Sequence, residues 1–451
     1  PSPPAGPVGQ TSVMPAPDVA ALLAELERTE PELARAARLA IDWLAGGRAL
    51  ETISQLDLCE FLWYTLPLKI SGDRFSIARA LGELLRLGGL YRYAAMCRSR
   101  TTARILRTYA RDGEEAGVAA YHRALKTTGV LPPDTSELTW SSIMGPEEGR
   151  AHASCAAALE LAIVAGEMTP DERAGRERLT RRWLTTPRAE LGGDCWLDRV
   201  HGERLNRWVL GHGSARRELA EPFELRLHAP IPVPREPHLE PLRWLLELAE
   251  NGIPLTERLN LARAVAVEAV ARFGWEVLTS GSVRSETEVP ALTSLKLIAI
   301  DDLGALRRTG RRLVLTRKGR KLLANPEALW STMGRVLLTF ARRRVDHRFE
   351  VCARESALML VADGPMEADE LYAQVAAVLS DEGWRTSEGT AVTHIEVARP
   401  LNELRLRLDA LRLRTDPRWN ASWRLTPVGR AAALAALRAY ALRPRRYLGD
   451  E

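Results

Sequence analysis

Between Leu306 and Lys321 the chain reads L-R-R-T-G-R-R-L-V-L-T-R-K-G-R-K, and no acidic residue interrupts it. Its basic side chains are Arg307, Arg308, Arg311, Arg312, Arg317, Lys318, Arg320 and Lys321. The chemistry such a run can do is phosphate binding. Guanidinium forks bond phosphate oxygens bidentately, or enter a narrow minor groove. A second set, Arg405, Arg407, Arg412 and Arg414 with Arg399, suits the same task, and Arg342-Arg343-Arg344 with Arg348 forms a third patch. Solvated surface is the competing explanation, because arginine is abundant everywhere. Lysine occurs only at Lys69, Lys126, Lys296, Lys318 and Lys321.

Catalytic chemistry is harder to assemble. Asp194-Cys195 with His201 and His212 is the densest group of reactive types, but a Cys/His nucleophile needs contact in space that spacing alone does not supply. None of the five cysteines falls in a C-x-x-C pair, which disfavours a zinc ribbon, and their odd number disfavours a disulfide framework. Gly192-Gly193 is not a phosphate loop, since no G-x-x-x-x-G-K-[ST] pattern surrounds it. No catalytic residue, metal site or cofactor is therefore expected, and the chain reads as no enzyme.

The basic run must be positioned by something, and the surrounding pattern says what. Leu242 to Glu250 is expected as a helix, Gly252-Ile-Pro-Leu-Thr256 as a turn and short strand, and Leu261 to Phe273 as a second helix ending at Gly274. Pro290 opens a third helix with Leu292, Leu295, Ala299 and Leu303 on one face and Gly304 past its end. Leu306 to Thr316 is a hairpin turning at Gly310, with Leu313 and Leu315 inward and the arginines outward. A last helix runs from near Gly319 through Leu322, Leu323 and Trp330. Helix, short strand, helix, helix, hairpin, helix is the winged-helix order.

The pattern recurs about 110 residues later. Leu315-Thr316-Arg317-Lys318-Gly319-Arg320 matches Leu425-Thr426-Pro427-Val428-Gly429-Arg430, both reading L-T-x-x-G-R; Pro290 matches Pro400; Gly274-Trp275 matches Gly383-Trp384. In the second copy Leu401, Leu404, Leu408 and Leu411 line the third helix, and the hairpin runs from about Leu413 to Thr426 with Asp416-Pro417 and Asn420 turning it. The Leu/Arg alternation from Leu404 to Leu408 also fits a strand, but Pro400 and the total length favour helix. Trp275 and Trp384 are expected as core anchors, and Trp419, in the second wing, as the tryptophan able to stack on a base.

The expected organisation is mainly α: tandem winged-helix units with short β-hairpin wings, joined by a helical region. Residues 1–17, rich in Pro, Gly and small polar groups, read as a flexible tail. Residues 31–114 read as a degraded third unit, with Ile77, Leu81 and Leu84 on its third helix, Gly88-Gly89 ending that helix, and a hairpin from Leu90-Tyr-Arg-Tyr93 and Arg104-Ile-Leu-Arg107. Residues 115–228 are a helical linking region, 229–239 a Pro-rich linker, 240–348 the first clear unit and 353–442 the second.

Composition bounds the partners. The chain has 451 residues, 46% apolar and 27% charged, with a net charge of only +5, so the placement of charge says more than its sum. No uncharged apolar stretch reaches the ~18 residues of a membrane helix, and the N-terminal residues lack a signal-peptide pattern. The scattered cysteines fit a reducing cytoplasm, and the Arg, Ala and Leu bias fits a high-GC, actinobacterial genome.

The run Ser282-Val-Arg-Ser-Glu-Thr-Glu-Val-Pro-Ala-Leu292, after the Gly252–Thr256 turn, resembles uncharacterised actinobacterial proteins described as similar to the third open reading frame of an Agrobacterium plasmid. That resemblance covers roughly residues 242–330 and implies no activity and no catalytic residues. L-T-x-x-G-R after a basic hairpin resembles the last strand and helix of tandem bacterial winged-helix regulators. The preferred expectation is noncatalytic binding of nucleic acid, duplex DNA, in transcription regulation or chromosome association, dominated by phosphate contacts. Asp301 and Asp302 on the first copy's third helix, where Lys296 is the only base, argue against sequence-specific reading. The alternative is a protein–protein interaction scaffold built from the same units.

Overall fold

The computed structural model describes residues 18–211, 213–278, 282–339, 348–418 and 422–446. The described residues are mainly helical, with one small three-stranded antiparallel sheet among them. It divides into two compact units, residues 18–200 with 444–446, and residues 201–443. The expected tail at 1–17, Arg342-Arg343-Arg344, His212, Trp419 and Asn420 lie outside the described residues. No helix among the described residues is long and apolar enough to cross a membrane.

In the first unit the helix expected around Ile77, Leu81 and Leu84 forms at Arg74–Leu87, buries those three residues, and stops at Gly88 with Gly89 at φ 76°. The hairpin expected after it does not form. Its two segments are helical, Tyr91–Cys97 and the first part of Arg100–Thr127, a span that kinks at Gly113 with φ 87°. Helical spacing decides the matter. Ala94 and Cys97, three apart, are buried, and so are Ile105, Leu106 and Tyr109 on one stripe of the long helix. Gly82 admits the Cys97 side chain, whose Cβ stands 3.0 Å from where a Cβ on Gly82 would sit.

The second unit differs from the expected layout at its start. It begins at His201, not in the proline-rich segment, so residues 201–228 leave the linking region and join it. Helix Ser214–His228 buries Ala220, Phe223 and Leu227 and packs on helices Arg348–Asp363, Ala368–Asp381 and Pro427–Ala441. The segment 229–239 is no free spacer: Ile231 and Val233 pack against the core and Leu239 is buried. Proline every second residue dictates an extended chain, but the apolar residues between decide that it docks.

The first copy follows the expected element order, and the second keeps its helices without named strands. The first runs helix Glu240–Leu248, β1 Ile253–Pro254, helix Arg263–Phe273, helix Pro290–Leu297 continued by a π-helical turn Ile298–Asp302, β2 Leu306–Thr309, β3 Arg312–Leu315 and helix Arg317–Ala324. Asn325-Pro326 splits the last expected helix in two. Asn325 caps the short helix Pro326–Trp330, and a proline cannot continue the preceding one. The sheet order is β1-β3-β2, with Ile253 opposite Leu313 and Leu306 opposite Leu315.

The second copy runs helices Arg348–Asp363, Ala368–Asp381, His394–Ala410 and Pro427–Ala441. Single bridges stand where the first copy has strands: Met366 with Trp423, and Arg414 with Leu425. Pro400 lies inside its helix, not at the start, because a Thr393/Glu396 capping box begins the helix earlier. Arg412, at φ 56°, closes that helix where the first copy has Gly304, at φ 58°. One apolar core runs through both copies, and the two third helices, Pro290–Leu297 and His394–Ala410, pack on each other.

Candidate nucleic-acid interface

The hairpin and the helix after it hold the basic run. Leu306, Leu313 and Leu315 are buried, which fixes the inner face at ~2 kcal/mol per side chain. The turn is two residues, Gly310-Arg311, with Gly310 at φ 57°, a position where a tight hairpin needs glycine. Arg307, Arg308, Arg311, Arg312, Arg317, Lys318, Arg320 and Lys321 are all exposed.

Two of these side chains have partners. Arg312 donates to the carbonyls of Asn251 at 2.9 Å and Gly252 at 3.0 Å, tying the hairpin to the loop before β1. Arg311 pairs with Glu257 at 3.8 Å, with both side chains mostly in water, so that pair contributes little. Arg307, Arg308, Arg317, Arg320 and Lys321 have no ion-pair partner among the described residues.

The junction between hairpin and helix is set by the L-T-x-x-G-R motif. Thr316 Oγ1 accepts from the Gly319 N–H at 2.9 Å and donates to the Gly304 carbonyl at 2.8 Å. A Cβ on Gly319 would stand 2.2 Å from the Ala305 carbonyl oxygen, so only glycine lets the helix start approach this closely. Thr426 and Gly429 do the same work in the second copy. Thr426 Oγ1 accepts from Gly429 at 2.9 Å, and a Cβ there would stand 2.0 Å from the Leu413 oxygen.

One basic residue was not legible in the sequence as part of this surface. Arg335, exposed and separated from the run by another helix, lies near enough to Lys318 to act on it. Partial burial first, and the Arg335 charge second, lower the Lys318 pKa. Such crowding of like charge is what an anion would relieve.

The second basic set is corrected by the structure. Arg405, Arg407 and Arg414 are buried and cannot reach a phosphate backbone. Arg405 and Arg414 bond to Asp409 at 3.4 and 3.2 Å. Arg407 is ion-paired with Asp302 and donates to the Val336 carbonyl at 3.1 Å. Arg412 is half exposed and meets Glu240 at 3.2 Å, and Arg399, mostly exposed, meets Glu403 at 3.4 Å. Helix His394–Ala410 packs on the first copy's third helix and carries Arg407 to Asp302, while Arg405 and Arg414 close on Asp409 of their own copy. The same pairing reverses the role expected of Asp302, which is an internal counter-ion, while Asp301 stays exposed. Lys296 is likewise taken by buried Glu286, at 2.5 Å.

Trp275 is buried and its Nε1 donates to the Asp409 carbonyl at 3.1 Å; Trp384 is half-buried, edge-on to Phe349. Cys195 donates to Asp198 at 3.0 Å, and burial, then that hydrogen bond, raise its thiol pKa, away from a nucleophile's state. His201 is buried and belongs to the other compact unit. Among the described residues no group of three His, Cys, Asp or Glu side chains is arranged to hold a metal ion.

Comparison of the chain with family models, with curated proteins and with solved structures finds no match.

Proposed function

We propose that residues 240–442 form two winged-helix units that bind duplex DNA through the wing of the first, without catalysis, in transcription regulation or chromosome association. The observation that carries this reading is the hairpin and helix start on which eight basic side chains are all exposed while the leucines between them are buried. Phosphate contacts then supply most of the affinity. The third helices are packed on each other, so major-groove reading by either one is disfavoured and specificity is modest. The five cysteines are buried and unpaired, which fits action in the cytoplasm.

Titrating purified protein with duplex DNA across a salt series tests the reading. A log–log slope of several units supports phosphate contacts, and absence of binding at ~50 mM salt removes it. The sealed third helices favour a second reading, a protein-interaction scaffold. It takes over if a protein partner binds through the wing while DNA does not.

A further inference from the structure

A cavity of about 410 Å3 opens between the two third helices, a volume in the range of pockets that enclose small organic ligands, ~300–1,000 Å3. Helix Pro290–Leu297 and the π-helical turn after it form one wall, and Glu403, Leu406 and Arg407 of helix His394–Ala410 form the other. We infer that this cavity binds a small hydroxylated arylalkylamine, with the ammonium at Asp301, the ring between Leu297 and Leu406, and the hydroxyl at Ser294.

Ser294 gives the first support. It is only 8% exposed, and it lines the cavity. A helical serine can return its hydroxyl to a carbonyl one turn back. The Ser294 hydroxyl does not, and it has no hydrogen-bond partner among the described residues. Nor is it one of the unpaired side-chain oxygens sealed from solvent, so it opens onto the cavity. A polar group so placed is costly to leave unsatisfied, and a ligand hydroxyl can either donate to it or accept from it.

The second support is the balance of charge. Asp301 lines the same wall two turns further on, is exposed, and its carboxylate has no ion-pair or hydrogen-bond partner among the described residues. The other charges of the walls are compensated. Asp302 holds Arg407, and Glu403 meets Arg354 at 3.0 Å and Arg399 at 3.4 Å. What remains over is one carboxylate, which selects a monocation. A ligand carboxylate would face both Asp301 and the partly exposed Glu403 and be repelled.

Spacing is the third. Ser294 and Asp301 are seven positions apart, about 10 Å along a helix axis, with Leu297 between them. Leu297 and, from the facing helix, Leu406 leave the middle of the cavity apolar. A ligand that satisfies both ends must therefore carry its polar groups on opposite sides of an apolar body. The Leu303 N–H donates to the Ile298 carbonyl at 3.0 Å, closing the π turn that carries both aspartates. Such turns are rare and frequently mark functional sites. This one sends Asp302 inward to Arg407 and leaves Asp301 on the cavity wall.

Calorimetric titration of the full chain with tyramine, without nucleic acid, tests the inference independently of DNA binding. Tyramine should bind with a submillimolar Kd. Phenethylamine, which lacks the hydroxyl, should bind several-fold more weakly, para-ethylphenol, which lacks the ammonium, about tenfold more weakly, and hydroxyphenylpropionate not at all. Asp301→Asn should weaken both amines about tenfold and leave para-ethylphenol unchanged, with the fold intact because the carboxylate is exposed. Ser294→Ala should bring tyramine down to phenethylamine and leave phenethylamine unchanged. Thr293→Trp, which fills the cavity, should abolish binding; if that variant does not fold, the other two decide. The inference is overturned if tyramine does not bind at millimolar concentration, if hydroxyphenylpropionate binds as tightly, or if Asp301→Asn and Ser294→Ala change all the ligands alike or none of them.

Discussion

Arg407 and Asp302 stand 105 residues apart in the chain and meet as a buried ion pair, one from each copy of the repeat. The carboxylate is 1% exposed and the guanidinium 11%, so the pair is held out of water. Arg407→Ala should therefore destabilise the second compact unit by up to ~3–5 kcal/mol, since it removes an ion partner from a buried carboxylate. The double change Arg407→Met, Asp302→Leu should recover most of that loss. Urea unfolding of the three proteins measures both, and a double variant as unstable as the single one would show that the pair does more than satisfy itself.

The wing should behave in the opposite way. Arg308→Ala with Arg311→Ala removes exposed charge and should change stability by less than ~0.5 kcal/mol. On the proposed function it should weaken DNA binding alike on all sequences and reduce the salt slope by roughly one to two units. An unchanged slope would take this hairpin off the binding surface.

The two helix starts give a matched test of the repeat. Thr316→Ala and Thr426→Ala should each cost ~1 kcal/mol through loss of the N-cap. Gly319→Ala and Gly429→Ala should cost more, ~1–3 kcal/mol, because the new methyl meets a carbonyl oxygen. Denaturation curves that separate the copies, with one pair of changes silent, would show that one junction carries no strain.

Asp409 gives the second unit a pH dependence of defined sign. Its folded pKa of about 7 lies above the ordinary 3.8, so between those values the folded state holds a proton that the unfolded state has released. Its contribution is present in full below the ordinary carboxylate range, falls as pH rises toward 7, and is lost above it. Asp409→Asn should flatten stability across that window. A wild-type profile that rises from pH 4 to 7 in this unit, with the variant rising in parallel, would assign the dependence elsewhere.

What could be read from the sequence follows a physical line. The hairpin was legible because alternate leucines, a turn glycine and an uninterrupted basic run all act within sixteen neighbouring positions, Leu306 to Lys321. L-T-x-x-G-R was legible because a cap and a close approach are local chemistry. Arg405 and Arg414 were misjudged although their counter-ion, Asp409, is a sequence neighbour, because the spacing does not say that all three are buried together; Arg407 was misjudged because its counter-ion comes from far along the chain. Asp302 reaches Arg407 from the other copy, and only packing brings the two together. The hairpin expected near Leu90 failed for a related reason. Tyr91–Cys97 is short, and its helical stripe is visible only against the helix it covers.

The continuous core through both copies has a consequence for how this unit comes apart. Solenoid repeats melt piecewise, because each module touches only its neighbours and stabilities nearly add. Here Leu295 of one copy and Leu404 of the other belong to a single buried cluster, and the Trp275 indole is tied to a carbonyl in the second copy. Neither half keeps a closed interior once the other leaves. Residues 201–443 should therefore lose structure in one cooperative transition, and a chain cut between the copies should yield two fragments that are each unstructured until mixed.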